Sequence, residues 1–251
     1  MGLRTKVRKI FWKLDDRNKK RNGYDVVHYL HIGKSGGSAF KYAIRGENKK
    51  NKRVIFQNVI FYIHGHNVPM MQVPKGEKVI FFLRDPIKRF ISSFYERLRQ
   101  GQPRVFFPWS TGEKEAYQHF KTANELASAL SSEDAIQRQQ AEDAMAAIDH
   151  IRSPQISWVE SLEYLRSRRD DVYFIGAQET LNDDFQLLKA KARLPDSVQL
   201  PDRNNIVSNT MPDEFDKTLS AQAEQNLRNW YAKDYELIAV VAEEFADKKQ
   251  H

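Results

Sequence analysis

The feature that most constrains this chain is an apolar run that leads without a break into a glycine-rich turn and then a helix. Val26 to Ile32 reads as a buried strand, Gly33 to Ser38 as the turn, and Ala39 to Arg45 as a helix ending near Gly46. In the turn, Gly33-Lys34-Ser35-Gly36-Gly37-Ser38, small residues let consecutive backbone N–H groups face one anion at a helix N-terminus. The helix dipole and Lys34 add positive charge there. A tight strand-to-helix turn with a solvated lysine is the plainer alternative. A Walker A loop needs a glycine five residues before Gly33, where this chain has His28, so the pattern of the common nucleotide triphosphatases fails.

The same strand-to-helix unit recurs. Lys78 to Leu83 is a continuous apolar run of the kind expected for a parallel strand covered on both faces. It closes on Arg84, with Asp85 as N-cap and Pro86 at the first helical position. The following helix sets Ile87, Phe90, Ile91, Phe94 and Leu98 on one face and stops near Gly101. Val54 to Ile63 predicts one or two strands ending in His64-Gly65-His66, and Val172 to Gly176 a short strand. Helices are expected over about 113–130, 132–149 and 180–192, with one or two closing helices over about 218–246. Loops fill 102–112, rich in Phe106, Phe107 and Trp109, and 194–211.

Alternating strands and helices predict an α/β fold, a three-layer P-loop-like arrangement whose mostly parallel central sheet is flanked by helices. Ligands of such folds bind beyond the carboxyl ends of the strands. The turn after Ile32, His66 and Arg84 all fall at that rim.

Composition narrows the class. A chain of 251 residues with 41% hydrophobic content can bury a sizeable core. The absence of cysteine excludes a disulfide framework and thiolate metal sites. No run approaches the roughly 18 apolar residues of a membrane span, and no signal peptide is legible, so a cytoplasmic location is expected. Net charge is +7, which favours anionic partners without choosing among them. Residues 1–22 hold nine basic residues, with Val7, Ile10, Phe11 and Leu14 at helical spacing. This basic amphipathic segment either docks on the domain, frays, or makes a peripheral membrane contact. Residues 23–251 read as one domain.

The two segments His31 to Ser38 and Arg84 to Ser92, in this order, resemble those of sulfotransferases that use 3′-phosphoadenosine 5′-phosphosulfate (PAPS), in particular the branch with carbohydrate sulfotransferases of the heparan 2-O type and their bacterial relatives. The resemblance implies that Gly33, Lys34, Ser35, Gly36, Gly37 and Ser38 hold the 5′-phosphosulfate, and that Arg84 and Ser92 hold the 3′-phosphate. PAPS is then the sulfuryl donor, PAP the product, and no metal is required. Weaker likeness extends to Phe174-Ile175-Gly176 with Glu179 and to the stretch from Leu200 through Asn204 to Tyr235. Gly33 stands where the family commonly has proline, and Ser35 where it has threonine; both keep the loop small.

In the resembling family a Gly-His pair near Gly65-His66 supplies the general base, which implies catalytic roles for His66 and Lys34. His64 and, further off, Glu179 are the alternatives for the base. The acceptor implied is a hydroxyl of a carbohydrate or glycolipid, which Lys41, Arg45, Lys49, Lys50, Lys52 and Arg53 would steer toward the cleft if it is anionic. The rival readings are a nucleotide kinase with an unusual phosphate loop and a basic nucleic-acid-binding protein; no nucleic-acid-reading motif is present, so nucleic acid is not the expected partner.

Overall fold

The computed structural model describes residues 12, 14–46, 48, 50–202, 205 and 215–249. Five strands, β1 (Asp25–Tyr29), β2 (Arg53–Phe56), β3 (Val59–Ile63), β4 (Lys78–Leu83) and β5 (Val172–Ala177), form one sheet in the order β2-β3-β1-β4-β5. The pairs β1 with β3, β1 with β4 and β4 with β5 are parallel; only the edge strand β2 runs antiparallel, as a two-residue hairpin with β3. The protein is a mixed α/β fold with a mostly parallel central sheet flanked by helices, as the alternation of apolar runs implies.

Successive strand side chains point to opposite faces, so each buried strand feeds two cores. Val27, Tyr29, Phe61, Ile80, Phe82 and Phe174 pack on Phe40 and Ile44 of the helix Gly37–Arg45 and on Phe185 and Leu188 of the helix Leu181–Lys191. Val79, Phe81, Leu83 and Ile175 pack on the other face, with Leu165, Trp158 and Leu237 of the helix Ala232–Glu244. A third, all-helical core joins the helix Pro86–Leu98 to Tyr117, Leu126, Met145 and Leu227.

One expectation needs correction. The region expected as two helices over 113–149 contains three, Thr111–His119, Ala123–Ala129 and Ala135–Ala147. The break has a local cause: Thr122 accepts the Glu125 amide proton and Glu125 answers on the Thr122 amide, a capping box that starts a new helix. The closing region, expected as one or two helices, is two, Ala221–Trp230 and Ala232–Glu244. Of the N-terminal segment, Val7, Ile10, Phe11 and most of its basic residues lie outside the described residues, as do Lys49 and Asn204. Residues 14–21 are helical and tied to the sheet: Arg53 donates to Asp15 and Asp16, Tyr62 to Asp16, and Lys20 pairs with Glu77 at 2.7 Å. Leu14 is exposed. Among the described residues no helix is long and apolar enough to cross a membrane.

Candidate active site

Because β1, β3, β4 and β5 are parallel, the segments that follow them share one rim. The turn after β1 is built as an anion cradle. Gly36 caps the helix Gly37–Arg45 from the left-handed region at φ 84, and Lys34 also takes positive φ, at 65, a conformation that non-glycine residues rarely adopt. Several glycines are sterically required. A Cβ on Gly37 would lie 2.2 Å from His31 and 2.5 Å from the Tyr29 hydroxyl, and one on Gly33 would lie 2.4 Å from His150. Carbonyls of the loop and of Ile32 before it are taken up by side chains. Arg89 Nε donates to the Gly33 carbonyl at 2.9 Å, Arg84 Nη1 to the Lys34 carbonyl at 3.1 Å, and Ser35 Oγ to the Ile32 carbonyl at 2.8 Å.

Arg84 thus braces the loop. Its backbone N–H and C=O are both held by the Gln155 amide, at 2.9 and 2.7 Å, while its Nε is closed off without a partner. Gln155 is itself fixed by Asp234, which accepts the amide protons of Gln155 and Ile156, both at 2.9 Å. Arg89, only 1% exposed, also donates to the Ser153 carbonyl at 2.8 Å. Ser92 is buried on the helix Pro86–Leu98, one turn before Glu96 and on the same face. Glu96 keeps one buried oxygen without a partner, and its charge bears on Lys34. Glu179 accepts from the Asp85 amide at 3.0 Å and sits beside Arg84 at the start of that helix, not among the histidines.

The histidines divide into two groups. His66 Nδ1 lies 3.1 Å from the His31 carbonyl, which only accepts; Nδ1 therefore carries the proton and Nε2 the lone pair. Its ring stacks on His31 with centroids 3.8 Å apart and lies 4.9 Å from His150. Desolvation by the surrounding chain, chiefly, and then the charge of Lys41 hold the His66 pKa below 6.5, while part of the residue stays exposed. His64 belongs elsewhere: its Nε2 meets His28 Nδ1 at 2.8 Å, and His28 Nε2 meets Glu77 at 2.7 Å. Burial and His28 lower the His64 pKa to about 4. Among the described residues no group of three or more potential metal ligands is positioned to hold an ion.

Around the loop, positive charge exceeds negative. Burial lowers the pKa of Lys34 to about 8, reinforced by Arg84, Arg99 and Arg104 and opposed by Glu96. Lys41, which donates to His31 Nδ1 at 2.8 Å, is also brought down to about 8, by burial and then by Arg45 and Arg104. Arg104 reaches Ser38 Oγ at 2.7 Å from the loop after the helix Pro86–Leu98. Sequence reasoning assigned no role to Arg104, Arg89, His31, His150 or Glu96. Arg89 and His31 alone had a local signal, standing in the Arg84 to Ser92 and His31 to Ser38 segments.

Cationic side chains drawn together against their own repulsion, a glycine cradle that a Cβ would fill and orphaned polar atoms all fit an oligoanionic nucleotide. No curated protein matches the chain. A model of the sulfotransferase family matches residues 19–238, a span that contains the loop, the Arg84 to Ser92 segment and both histidine groups. The chain therefore belongs to the sulfotransferase family, whose members transfer a sulfuryl group.

Proposed function

We propose that the protein transfers the sulfuryl group of PAPS to a hydroxyl of a carbohydrate or glycoconjugate, with His66 as general base. The observation that carries this reading is the His66–His31 carbonyl bond beside the loop. It leaves Nε2 unprotonated at the strand rim, where an acceptor hydroxyl would meet the donor.

PAPS supplies the activated sulfuryl group and leaves as PAP. The amides from Gly33 to Ser38, with Lys34, would take the 5′-phosphosulfate and offset the charge that gathers on the leaving phosphate. Ser92 and the guanidinium of Arg84 would take the 3′-phosphate, with Arg84 also bracing the loop through the Lys34 carbonyl. His66 Nε2 would accept the acceptor's proton as the new S–O bond forms. Stacking on His31 and the Nδ1 bond keep that ring in one tautomer and one orientation.

Calorimetry with PAP in the presence of EDTA, alongside sulfuryl transfer from radiolabelled PAPS, tests the reading. Binding unchanged by EDTA is expected. His66→Ala should leave PAP affinity within about twofold and lower kcat by at least about a hundredfold, the lower end of a general base's contribution. His64→Ala should lower it far less. Retention of more than about a tenth of kcat by His66→Ala would remove His66 from the base role.

A further inference from the structure

Beside His66 lies an open cavity of about 170 Å³, lined by His66, Asn67, Pro69, Ser153, Ser157 and Trp158. None of these side chains is permanently charged. The charges nearby are already engaged: Arg89 donates to the Ser153 carbonyl at 2.8 Å, and Arg152 pairs with Asp149 at 3.3 Å. The cations Lys34, Lys41 and Arg104 make their bonds at the loop and at His31, with Lys41 also acting through its charge on His66, and none of them lines the cavity.

The wall chemistry is that of a hydroxyl reader. The exposed Asn67 amide offers both donor and acceptor. Ser157 donates its own proton to the Pro154 carbonyl at 2.6 Å, so toward a ligand its oxygen acts as acceptor. Pro69 and Trp158 supply apolar surface between these polar groups. Roughly 300 Å³ is the lower end for drug-sized ligands, so a space of about 170 Å³ suits a smaller group.

We propose that this cavity is the acceptor subsite, and that Asn67, Ser153 and Ser157 select a neutral, hydroxyl-rich group of single-ring size and hold one of its hydroxyls toward His66. The inference rests on the sulfuryl-transfer reading and narrows it: the reacting end of the acceptor carries no carboxylate or sulfate, whatever the rest of the molecule carries.

The test is NMR of PAP-loaded protein labelled at tryptophan and histidine. It is titrated with the methyl glycosides of glucose, galactose and mannose, and separately with methyl glucuronide. At least one neutral glycoside should shift the Trp158 indole and His66 ring signals, with the glucuronide at least about fivefold weaker, as expected where a charged group meets no partner. Ser157→Tyr, which fills the cavity, and Asn67→Leu should each weaken the neutral glycoside at least about tenfold while leaving PAP affinity within about twofold, which also reports that the variants fold. PAP binding with no response to any neutral glycoside, a tighter glucuronide, or a response that survives in both variants would overturn the subsite. Failure of the wild-type protein to bind PAP would instead overturn the sulfuryl-transfer reading on which it rests.

Discussion

In the proposed mechanism Lys34 and His66 would place opposite demands on pH. His66 would have to be neutral to accept a proton, and its pKa lies below 6.5; Lys34 would have to be charged, and its pKa is about 8. The pH profile of kcat/KM, which reports the free enzyme, should therefore rise through a value below 6.5 and fall near 8. Lys34→Arg keeps the charge and should move the falling limb to higher pH. A limb that stays near 8 would belong to Lys41, whose pKa is similar. The glycines, Lys34 and His66 were legible because each lies in a short local pattern. Arg104 and His150 were not, since only the packing of the loop after the helix Pro86–Leu98 and of the segment after the helix Ala135–Ala147 brings them to the site; His31 stood in the His31 to Ser38 segment but its contact with His66 is a tertiary one. The resemblance favoured His66 and kept His64 as an alternative. Both lie beyond the end of β3, and the turn there separates them, sending one to His28 and the other to His31.

At the level of elements, the turn between β1 and its helix is set by steric limits that a matched pair of variants exposes. Gly37→Ala places a Cβ 2.2 Å from the His31 ring, so His31 or the helix start must shift. The expected result is a loss of about 1 to 3 kcal/mol in stability and at least a tenfold loss of PAP affinity, roughly 1.4 kcal/mol or more. Gly65→Ala meets nothing within 4 Å and should change stability by no more than about 0.5 kcal/mol. Urea titration and calorimetry read both. A second element-level case is the Arg97–Glu113 pair, bonded at 2.6 and 2.9 Å, in which Glu113 also accepts from the Ser110 and Asp149 amides. Burial alone would raise the Glu113 pKa; the Arg97 and amide bonds outweigh it and bring it to about 2. Its contribution is then present above the unfolded value of 4.5 and lost as pH falls from there toward 2. Glu113→Gln should cost about 3 to 5 kcal/mol near neutrality, and its urea midpoint should fall less steeply with acid than that of the wild type. The strands were located because buried parallel strands are continuous apolar runs; β4 matches its run, while β1 ends at Tyr29 and not at Ile32, since the apolar run continues past the last sheet pairing. The helices of 111–147 were merged because their amphipathicity is weak, although the Ser110–Glu113 and Thr122–Glu125 spacings carried both capping boxes.

Across the whole molecule, Asp234 joins the closing helix to the strand rim: it holds the Gln155 and Ile156 amides, and Gln155 holds both backbone groups of Arg84. Asp234→Ala removes two charge-assisted bonds, each worth about 1.5 to 3 kcal/mol. It should lower the urea midpoint and also weaken PAP, although residue 234 lies far along the chain from the loop; Asp234→Asn, which keeps one acceptor, should fall between. A stability loss with unchanged PAP affinity would disconnect the helix from the rim. No sequence pattern announces this link, because it is a contact between segments some 80 residues apart. The crowding of Lys34, Lys41, Arg84 and Arg104 around the loop has one more consequence, for ionic strength. Salt screens charges over about 10 Å at 0.1 M. Added salt should relieve the repulsion among these side chains and raise the melting temperature of the ligand-free protein, while stripping away part of the attraction for PAP. Melting curves with and without PAP should therefore converge as salt is added, from below for the free protein and from above for the bound one.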